Sequence, residues 1–240
     1  MIGTFRTLGL LGGMGPGATA DVFAKIIAAT SAQRDQDHIP IMIRSVPQIP
    51  DRSAALLGRG ASPREALVEG AIALSAAGAD FLAIACNTAH HWYGPIRQAA
   101  GVPVLHIAEA VLNDLKGFDR NEAIGVLATS GTIRSGFYQH FLTAKGFSPL
   151  VPAAKVQMRS VDRAISFAKA GEQPKAGQTI MEAAEALHNR GARVIVLACT
   201  ELPLIVDADT LPGVTFVDAN VSLARACVRE AQARQKEPTH

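Results

Sequence analysis

Short apolar runs alternate with amphipathic stretches along the whole chain, and this alternation limits the possible folds more than any other feature. Several of the runs are apolar at every position, so both faces of the resulting strands must be buried. Such strands are typical of a parallel sheet that is covered by helices. We therefore predict an α/β fold with strands at Thr7–Leu11, Ile39–Val46, Phe81–Ala85, Val102–His106, Ala123–Ala128, Val194–Ala198 and Val214–Val217.

Two pairs of similar segments indicate an internal repeat. In one pair a strand ends at a cysteine, which is Cys86 in the first copy and Cys199, 113 positions later, in the second. In the other pair a strand enters a loop of small residues, with Gly9 in the first copy and Gly125, 116 positions later, in the second. The nearly equal offsets favour two similar lobes over chance matches.

The repeat predicts two pseudo-symmetric lobes, each a mostly parallel sheet flanked by helices. We assign residues 1–104 and 213–240 to the N-terminal lobe, and residues 105–212 to the C-terminal lobe. The segment 213–240 joins the first lobe because the helix after Val217 has no strand partner left in the second and is expected to return. Ligands of open α/β sheets bind beyond the carboxyl ends of the strands, so two lobes that face each other would place a site between them.

Composition excludes several classes of protein. With 48% hydrophobic residues the chain can build a sizeable core, and a net charge of +2 is too balanced to indicate a nucleic-acid or membrane-surface partner. No apolar run approaches the roughly 18 residues that a membrane helix needs. The three cysteines do not resemble a disulfide framework, and the apolar run near the N-terminus is too broken by glycines for a signal peptide. A cytoplasmic location is therefore expected.

The two repeated cysteines are the strongest candidates for chemistry. If the lobes face each other, Cys86 and Cys199 lie on opposite sides of one cleft. One thiolate can then remove a proton from a substrate carbon while the opposite thiol delivers a proton to the other face. A cysteine that ends a buried strand is more often a small core residue, and Cys227 is assigned to packing. The matching repeat positions favour catalysis for the other two.

Polar residues follow each of these thiols. Asn87 and Thr88 come after Cys86, and Thr200 and Glu201 come after Cys199. Their hydroxyls and amides suit a carboxylate, whereas Glu201 suits an ammonium group. Helix capping is an alternative role for the two threonines, and both roles can coexist in one residue.

Two loops and one arginine offer further donors. The loop Gly12–Pro16 opens a helix; it lacks the spacing of a dinucleotide-binding loop, but such a helix N-terminus still binds small anions. The matching loop Thr129–Thr132 adds three hydroxyls. Arg52 closes the irregular, proline-braced segment 47–52 and is able to fork onto a carboxylate. An arginine in a surface loop is the simpler interpretation of Arg52.

No metal site is predicted. His90 and His91 are adjacent, and neighbouring residues of a helix point in different directions. The spacings of known zinc motifs are missing from the sequence. The glycine loop and the lysines likewise give no reason to expect a nicotinamide or pyridoxal cofactor.

Taken together, these motifs resemble the cofactor-independent aspartate/glutamate racemase superfamily over nearly the whole chain. The two cysteine motifs, Ala85–His90 and Ala198–Glu201, are specific to the superfamily, while Gly9–Pro16 and Pro47–Arg52 point to its aspartate racemase branch. Glutamate racemases proper carry a Cys-Thr-His second motif, whereas this chain has a glutamate at position 201.

The resemblance implies an amino-acid substrate, an interlobe active site and a homodimer. It implies that Cys86 and Cys199 are the two catalytic bases that interconvert L- and D-aspartate, with no pyridoxal phosphate or other cofactor. The substrate-binding residues that it implies are Met14, Arg52, Asn87, Thr88, Thr129, Ser130, Thr132, Lys169, Thr200 and Glu201.

Two other functions stay open at this point. One is a racemase of broader specificity that accepts glutamate or other amino acids, because fold and motif do not fix a substrate. The other is a protein that binds a small dicarboxylate in the same cleft without turnover. The paired cysteines argue against the binding protein, since binding alone has no use for a thiol on each side of a ligand.

Overall fold

The computed structural model describes residues 5–207 and 209–233, which form two parallel sheets with helices packed against them. The first sheet contains β1 (Leu8–Gly12), β2 (Ile41–Ser45) and β3 (Phe81–Ile84) in the order β2–β1–β3. The second contains β4 (Ala123–Leu127), β5 (Ser148–Leu150), β6 (Val194–Leu197) and β7 (Thr215–Asp218) in the order β5–β4–β6–β7. All pairings within these sheets are parallel, which confirms the predicted α/β fold.

Helices connect successive strands. They are α1 (Pro16–Ala29), α2 (Arg52–Leu56), α3 (Arg64–Ala76), α4 (Tyr93–Ala100), α5 (Ile107–Asp114), α6 (Ser130–Ser135), α7 (Phe137–Ala144), α8 (Ala154–Val156), α9 (Arg163–Lys169), α10 (Gln173–His188) and α11 (Ala219–Gln232). Short 3₁₀ segments occur at Asp35–Asp37, Thr88–Trp92 and Leu202–Leu204, and a π-helical turn at Gln157–Asp162. Within the described residues no helix combines the length and the apolar composition that crossing a membrane requires.

Strand alternation divides the interior into a core shared by both sheets and one further core in each lobe. Along β3 and just beyond it, the shared core takes Phe81, Ala83 and Ala85, and the first lobe's own core takes Leu82, Ile84 and Cys86. Along β6 and just beyond it, the shared core takes Val194, Val196 and Ala198, and the second lobe's own core takes Ile195, Leu197 and Cys199. Both thiols therefore lie at equivalent positions and turn away from the shared core.

In each lobe a central strand contains a glycine that the packing of the neighbouring strand requires. A Cβ atom added to Gly9 would lie 2.5 Å from Leu82 Cδ2 and 2.9 Å from Ala79 Cβ, and one added to Gly125 would lie 2.9 Å from Ile195 Cγ1. Leu82 and Ile195 are 113 positions apart, the same spacing as the two cysteines. In both lobes a neighbouring side chain occupies the space that a larger residue on the central strand would need.

Two features of the sheets differ from the prediction. Val102–His106 is not a strand: within the described residues it contributes one isolated parallel bridge, between Val104 and Leu82. Pro103 has no N–H to give to a ladder, and α5 begins soon afterwards. β5 is absent from the prediction because it is a three-residue edge strand with Pro149 at its centre, too short for an alternating pattern.

The segment 213–240 is divided between the lobes. β7 pairs with β6 in the second sheet, where Thr215 lies opposite Val194, so this strand does not lie in the first lobe as predicted. α11 then packs against α1 of the first lobe and also against α5. Cys227 is fully buried in α11 as part of the shared core. Residues 234–240, like 1–4, lie outside the described residues.

The close contacts of Gly9 generate a prediction about stability. Gly9→Ala places a methyl group against Leu82 and Ala79, and overpacking of this kind costs about 1–3 kcal/mol. The free energy of unfolding in urea measures the loss. Gly17→Ala is the matched control, because no atom lies within 4 Å of its added Cβ. An unfolding midpoint of Gly9→Ala equal to that of the wild type contradicts the prediction.

Candidate active site

The glycine loop after β1 is closed largely by its own residues. Gly13 has a φ of +91°, and a Cβ there would lie 2.2 Å from the backbone nitrogen of Val46, so the position requires glycine. The Gly13 N–H donates to Thr19 Oγ1 at 2.9 Å, and that hydroxyl donates to the Gly15 carbonyl at 2.9 Å. At least one amide that could have bound an anion is thus already used inside the loop.

Asn87 follows Cys86 and is held from the opposite lobe. Its Oδ1 accepts a hydrogen bond of 2.6 Å from the hydroxyl of Tyr138 on α7. Burial raises the pKa of Tyr138 well above its ordinary value, and Cys199, when it is a thiolate, and Asp218 raise it further, so the phenol keeps the proton that it donates. Asn87 Nδ2 is buried and has no hydrogen-bond partner within the described part of the chain.

Three threonine hydroxyls form a buried triangle across the lobe interface. Thr88 Oγ1 lies 3.0 Å from Thr129 Oγ1 and 2.9 Å from Thr132 Oγ1, and the last two atoms are 3.0 Å apart. Thr129 also caps α6, because its Oγ1 accepts the Thr132 N–H at 3.0 Å. Helix capping was the alternative role for Thr88 and Thr200, but in the described residues their hydroxyls bond only to other side chains, and Thr129 is the threonine that caps a helix. The three hydroxyls of the triangle together join the first lobe to the second.

Ser130 is turned away from this triangle. Its hydroxyl donates to Asp162 Oδ2, and its N–H donates to Asp162 Oδ1 at 2.9 Å. The neighbouring Gly131 packs against the first lobe so closely that an added Cβ would lie 2.8 Å from Ser53 Cα. A glycine at this position therefore lets α6 approach α2 across the interface.

Arg52 occupies a different environment from the one predicted. It is the first residue of α2, is only 7% exposed, and so lies neither in an irregular loop nor on the surface. Its Nη1 donates to the carbonyls of Ile49 and Pro50, each at 3.1 Å, and its Nη2 donates to the carbonyl of Met14 at 3.2 Å. Nε is buried and unpartnered within the described residues. The guanidinium thus ties α2 to the glycine loop and keeps donors for a ligand.

Glu201 interacts directly with the second thiol. Its Oε2 accepts hydrogen bonds from Cys199 Sγ and from Thr200 Oγ1, both at 3.1 Å. Burial, and then the Glu201 charge, raise the pKa of Cys199 well above its ordinary value, while Lys169 opposes the shift. The resting state of Cys199 is therefore the protonated thiol.

A single narrow cavity brings the predicted residues together. Both cysteines and eight of the ten predicted substrate-binding residues line it, and Ser130 and Thr132 do not. Asp51 and Ser53 also line it and were missed; the signal was their position on either side of Arg52. The cavity volume is about 10 Å³, room for about one water molecule. Four larger hollows of the described surface, with volumes of about 340 to 640 Å³, contain neither Cys86 nor Cys199.

Three unpaired polar atoms belong to residues that line this cavity. Arg52 Nε and Asn87 Nδ2 are donors, and Glu201 Oε1 is an acceptor; all three are buried without a partner in the described residues. Unpaired buried polar atoms are uncommon because each costs free energy. Donors suit the oxygens of a carboxylate, and an anionic acceptor suits an ammonium group.

The described residues do not contain a group of three or more histidine, cysteine, aspartate or glutamate side chains placed to hold a metal ion. His90 is buried and His91 is exposed, so the two neighbouring rings face different environments. The polar groups of the residues that line the cavity are two thiols, four hydroxyls, one amide, one guanidinium, one ammonium and two carboxylates.

Comparisons with known proteins identify the family of this chain. The model of the Asp/Glu/Hydantoin racemase family matches residues 11–227. The chain is 30% identical over 232 residues to the broad specificity amino-acid racemase RacX of Bacillus subtilis (strain 168), covering 95% of this chain and 99% of that one.

Solved structures give the same result. The aspartate racemase of Picrophilus torridus superposes with a TM-score of 0.84 at 30% identity, covering 97% of this chain and 96% of that one. PH1733, an aspartate racemase homologue from Pyrococcus horikoshii OT3, has a TM-score of 0.74 at 24% identity, covering 94% and 99%, and supports the fold. From the family match and these relatives, the chain belongs to the Asp/Glu/Hydantoin racemase family and is an isomerase of the racemase class.

Proposed function

We propose that this protein interconverts L- and D-aspartate without a cofactor, using Cys86 and Cys199 as its two bases. The observation that carries the proposal is the convergence of two thiols on one cavity from equivalent strand ends of two lobes. Racemisation requires a proton to leave one face of a carbon and another to arrive on the opposite face, so a group on each side is what the reaction needs.

The unpaired polar atoms suggest how an amino acid is oriented between the thiols. Glu201 Oε1 is free to accept from the α-ammonium group, while Arg52 Nε and Asn87 Nδ2 are free to donate to carboxylate oxygens. Arg52 and Lys169 are both cations that line the cavity. Two cations complement two carboxylates, which supports a dicarboxylic substrate, and the resemblance to the aspartate racemase branch points to aspartate rather than glutamate.

The reaction is one exchange of protons. The Cys86 thiolate takes the α-proton, so the C–H bond breaks and its electron pair spreads into the α-carboxylate. The Cys199 thiol then gives its proton to the opposite face, forming the new C–H bond and leaving Cys199 as the thiolate. Donors at the α-carboxylate stabilise the charge that develops there. Cys199 is suited to be the proton donor in this direction of the reaction, because its contact with Glu201 helps to keep the resting thiol protonated.

The cavity must widen before an amino acid can enter. With a volume of about 10 Å³ it holds about one water molecule, and aspartate is several times larger. The contacts that close it run between the lobes: the threonine triangle, the Tyr138–Asn87 hydrogen bond and the packing of Gly131 on Ser53. We propose that substrate enters when the lobes separate along this interface and that closure then excludes water from the reaction.

A racemase of broader specificity is the second candidate function. It is favoured by the similarity to the Bacillus subtilis protein, whose name describes a broad-specificity amino-acid racemase. The same thiols and the same donors for an α-carboxylate serve either function. The difference lies in how strongly the second carboxylate of the substrate is required.

We also propose that the enzyme is a cytoplasmic homodimer that binds neither nucleic acid nor membranes. Support for the location comes from three cysteines that are unpaired in the structure, as expected in a reducing compartment. The dimer follows from the resemblance described above. Light scattering on purified protein tests the oligomeric state.

Proton exchange in deuterium oxide tests the proposed function. We expect dialysed, chelator-treated protein to exchange the Cα proton of L- and D-aspartate, and to exchange that of glutamate or alanine at least tenfold more slowly, as followed by NMR. Cys86→Ser and Cys199→Ser should each lower racemisation by at least about a hundredfold, the range lost with a general acid or base.

Cys227→Ala is the control for that experiment, because this cysteine is buried in the shared core and should leave racemisation near the wild-type rate. Equal rates for many amino acids favour the broad-specificity racemase. Failure to exchange any amino acid favours the dicarboxylate-binding protein. Near wild-type racemisation by either catalytic single variant excludes the two-thiol mechanism.

Arg52→Lys should weaken both substrate binding and folding. Lysine offers a point charge and cannot reproduce three hydrogen bonds to carbonyls plus a fork toward a carboxylate. We expect the KM for aspartate to rise roughly tenfold to a hundredfold, and the free energy of unfolding to fall by about 1–3 kcal/mol. Arg97→Lys, in an exposed position on α4, is the control. A lower stability with an unchanged KM limits Arg52 to a structural role.

Glu201→Gln should make Cys199 more reactive. The Glu201 charge contributes to the raised pKa of Cys199, so removing it lowers that pKa and increases the thiolate fraction at a fixed pH. We expect iodoacetamide to modify Cys199 severalfold faster at pH 8, measured by peptide mass spectrometry. Glu65→Gln removes the same charge from an exposed turn of α3 and serves as the control. Unchanged modification of Cys199 in Glu201→Gln refutes the electrostatic coupling.

A further inference from the structure

His90 is a buried histidine that does not line the cavity, yet it touches the turn that carries the first thiol. It lies on the 3₁₀ segment Thr88–Trp92 and is 3% exposed. Its Nδ1 is 2.9 Å from the carbonyl oxygen of Cys86, and its Nε2 is 3.1 Å from the backbone nitrogen of Ile107.

These two contacts fix the tautomer of the ring. The backbone N–H of Ile107 can only donate, so Nε2 is the acceptor and carries no proton. The proton is therefore on Nδ1, which donates it to the Cys86 carbonyl. Burial lowers the pKa of His90 to about 4, which keeps the ring neutral near pH 7. His106 and Phe137 pack around it, with ring centroids 4.8 and 6.1 Å away.

The Cys86 carbonyl lies where the sheet stops holding the chain. The Ala85 N–H donates to the Leu11 carbonyl at 2.9 Å, and beyond it the chain turns through Cys86, Asn87 and Thr88, which all line the cavity. His90 joins this turn to the first residue of α5, so the peptide group of Cys86 is fixed against a helix that packs on both α7 and α11.

The second lobe holds its own thiol turn by a different side chain. The residue 113 positions after His90 is Pro203, whose ring nitrogen carries no hydrogen and cannot donate. There, the fully buried Asn220 of α11 donates from Nδ2 to the Thr200 carbonyl at 3.1 Å and to Asp21 Oδ2 at 2.7 Å. Each thiol turn is thus anchored by one buried side chain on a main-chain carbonyl, although the residue and its element differ.

We propose that His90 is a positioning residue for Cys86: by holding the Cys86 carbonyl against the start of α5, it directs the thiol into the cavity. The proposal rests on the proposed function, because it assigns His90 a purpose only if Cys86 is a base. His90 touches neither the cavity nor the reacting atoms and acts through the backbone alone.

Two conservative variants separate the two contacts. In His90→Asn the amide nitrogen occupies roughly the place of Nδ1 and can donate to Cys86, but the side chain is too short to reach Ile107. In His90→Gln the amide oxygen occupies roughly the place of Nε2 and can accept from Ile107, but the Nδ1 donor is lost. We expect His90→Asn to retain kcat/KM within about threefold of the wild type, and His90→Gln to lose at least thirtyfold.

Stability should follow the opposite order, which a merely structural role cannot produce. His90→Gln keeps the bond to α5 and should unfold in urea closer to the wild type than His90→Asn does. His91→Asn and His91→Gln are the matched controls, since the adjacent His91 is exposed and does not line the cavity. Activity losses that follow the losses of stability in both His90 variants overturn the proposal, as does an active His90→Gln.

One measurement needs no substitution at His90. In His188→Gln protein labelled with ¹⁵N-histidine, we expect one ring at pH 7 to show protonated Nδ1 and unprotonated Nε2; His188 is replaced because its Nδ1 also lies near a main-chain carbonyl, that of Ala192 at 3.2 Å. If no histidine has this tautomer, no ring donates to the Cys86 carbonyl and the proposal is overturned. Cys86→Ser separates a failure of the proposed function from a failure of the role proposed for His90. If Cys86→Ser is active, the proposed function fails. If Cys86→Ser is inactive while His90→Gln is active, only the role of His90 fails.

Discussion

The register of the two buried strands β3 and β6 is the constraint on which the rest of the structure depends. In each strand, alternate residues enter the core that the two sheets share, so the residues between them must face the other way. Cys86 and Cys199 belong to this second set. A slip of one residue would send both thiols into the shared core, where no ligand could reach them. Hydrophobic burial of residues such as Phe81 and Val196 thereby determines where the two thiols lie.

The interface between the lobes is polar at the cavity and apolar behind it. Behind the cavity, the shared core joins residues from both sheets and from α11. Burial of this core supplies stability that the cavity itself does not. At the cavity, hydroxyls and amides satisfy one another across the interface, as Thr88 does with Thr129 and Tyr138 does with Asn87. A few atoms stay unpaired, at a cost of about 1–3 kcal/mol each. Hydrogen bonds of this kind are more easily exchanged for bonds to a ligand than an apolar core is opened.

The lobes repeat their backbone but not the surroundings of their thiols. Cys199 donates to the carboxylate of Glu201, whereas the corresponding position after Cys86 is Thr88, which bonds to two other threonines. The carbonyl anchors differ as well, with His90 in one turn and Asn220 serving the other. Each thiol turn therefore has its own hydrogen-bond partners and its own support. Such a difference suits the proposed mechanism, in which the two thiols hold opposite protonation states at the start of each turnover.

The sequence by itself determined the fold class and the placement of the two cysteines at equivalent strand ends. Fully apolar strands and a repeat at a spacing of 113 residues can both be recognised along the chain without knowledge of contacts. Only the tertiary structure decided which hydrogen bonds those residues make. Arg52 resembled a surface residue until the folded chain placed three carbonyls around it, and Ser130 resembled a ligand donor until Asp162, 32 positions away, took its hydroxyl. β5 and the bridge at Val104 also depended on partner strands. Hydrophobic periodicity is written along the chain, whereas the partners of a polar atom come from distant segments that only folding brings together.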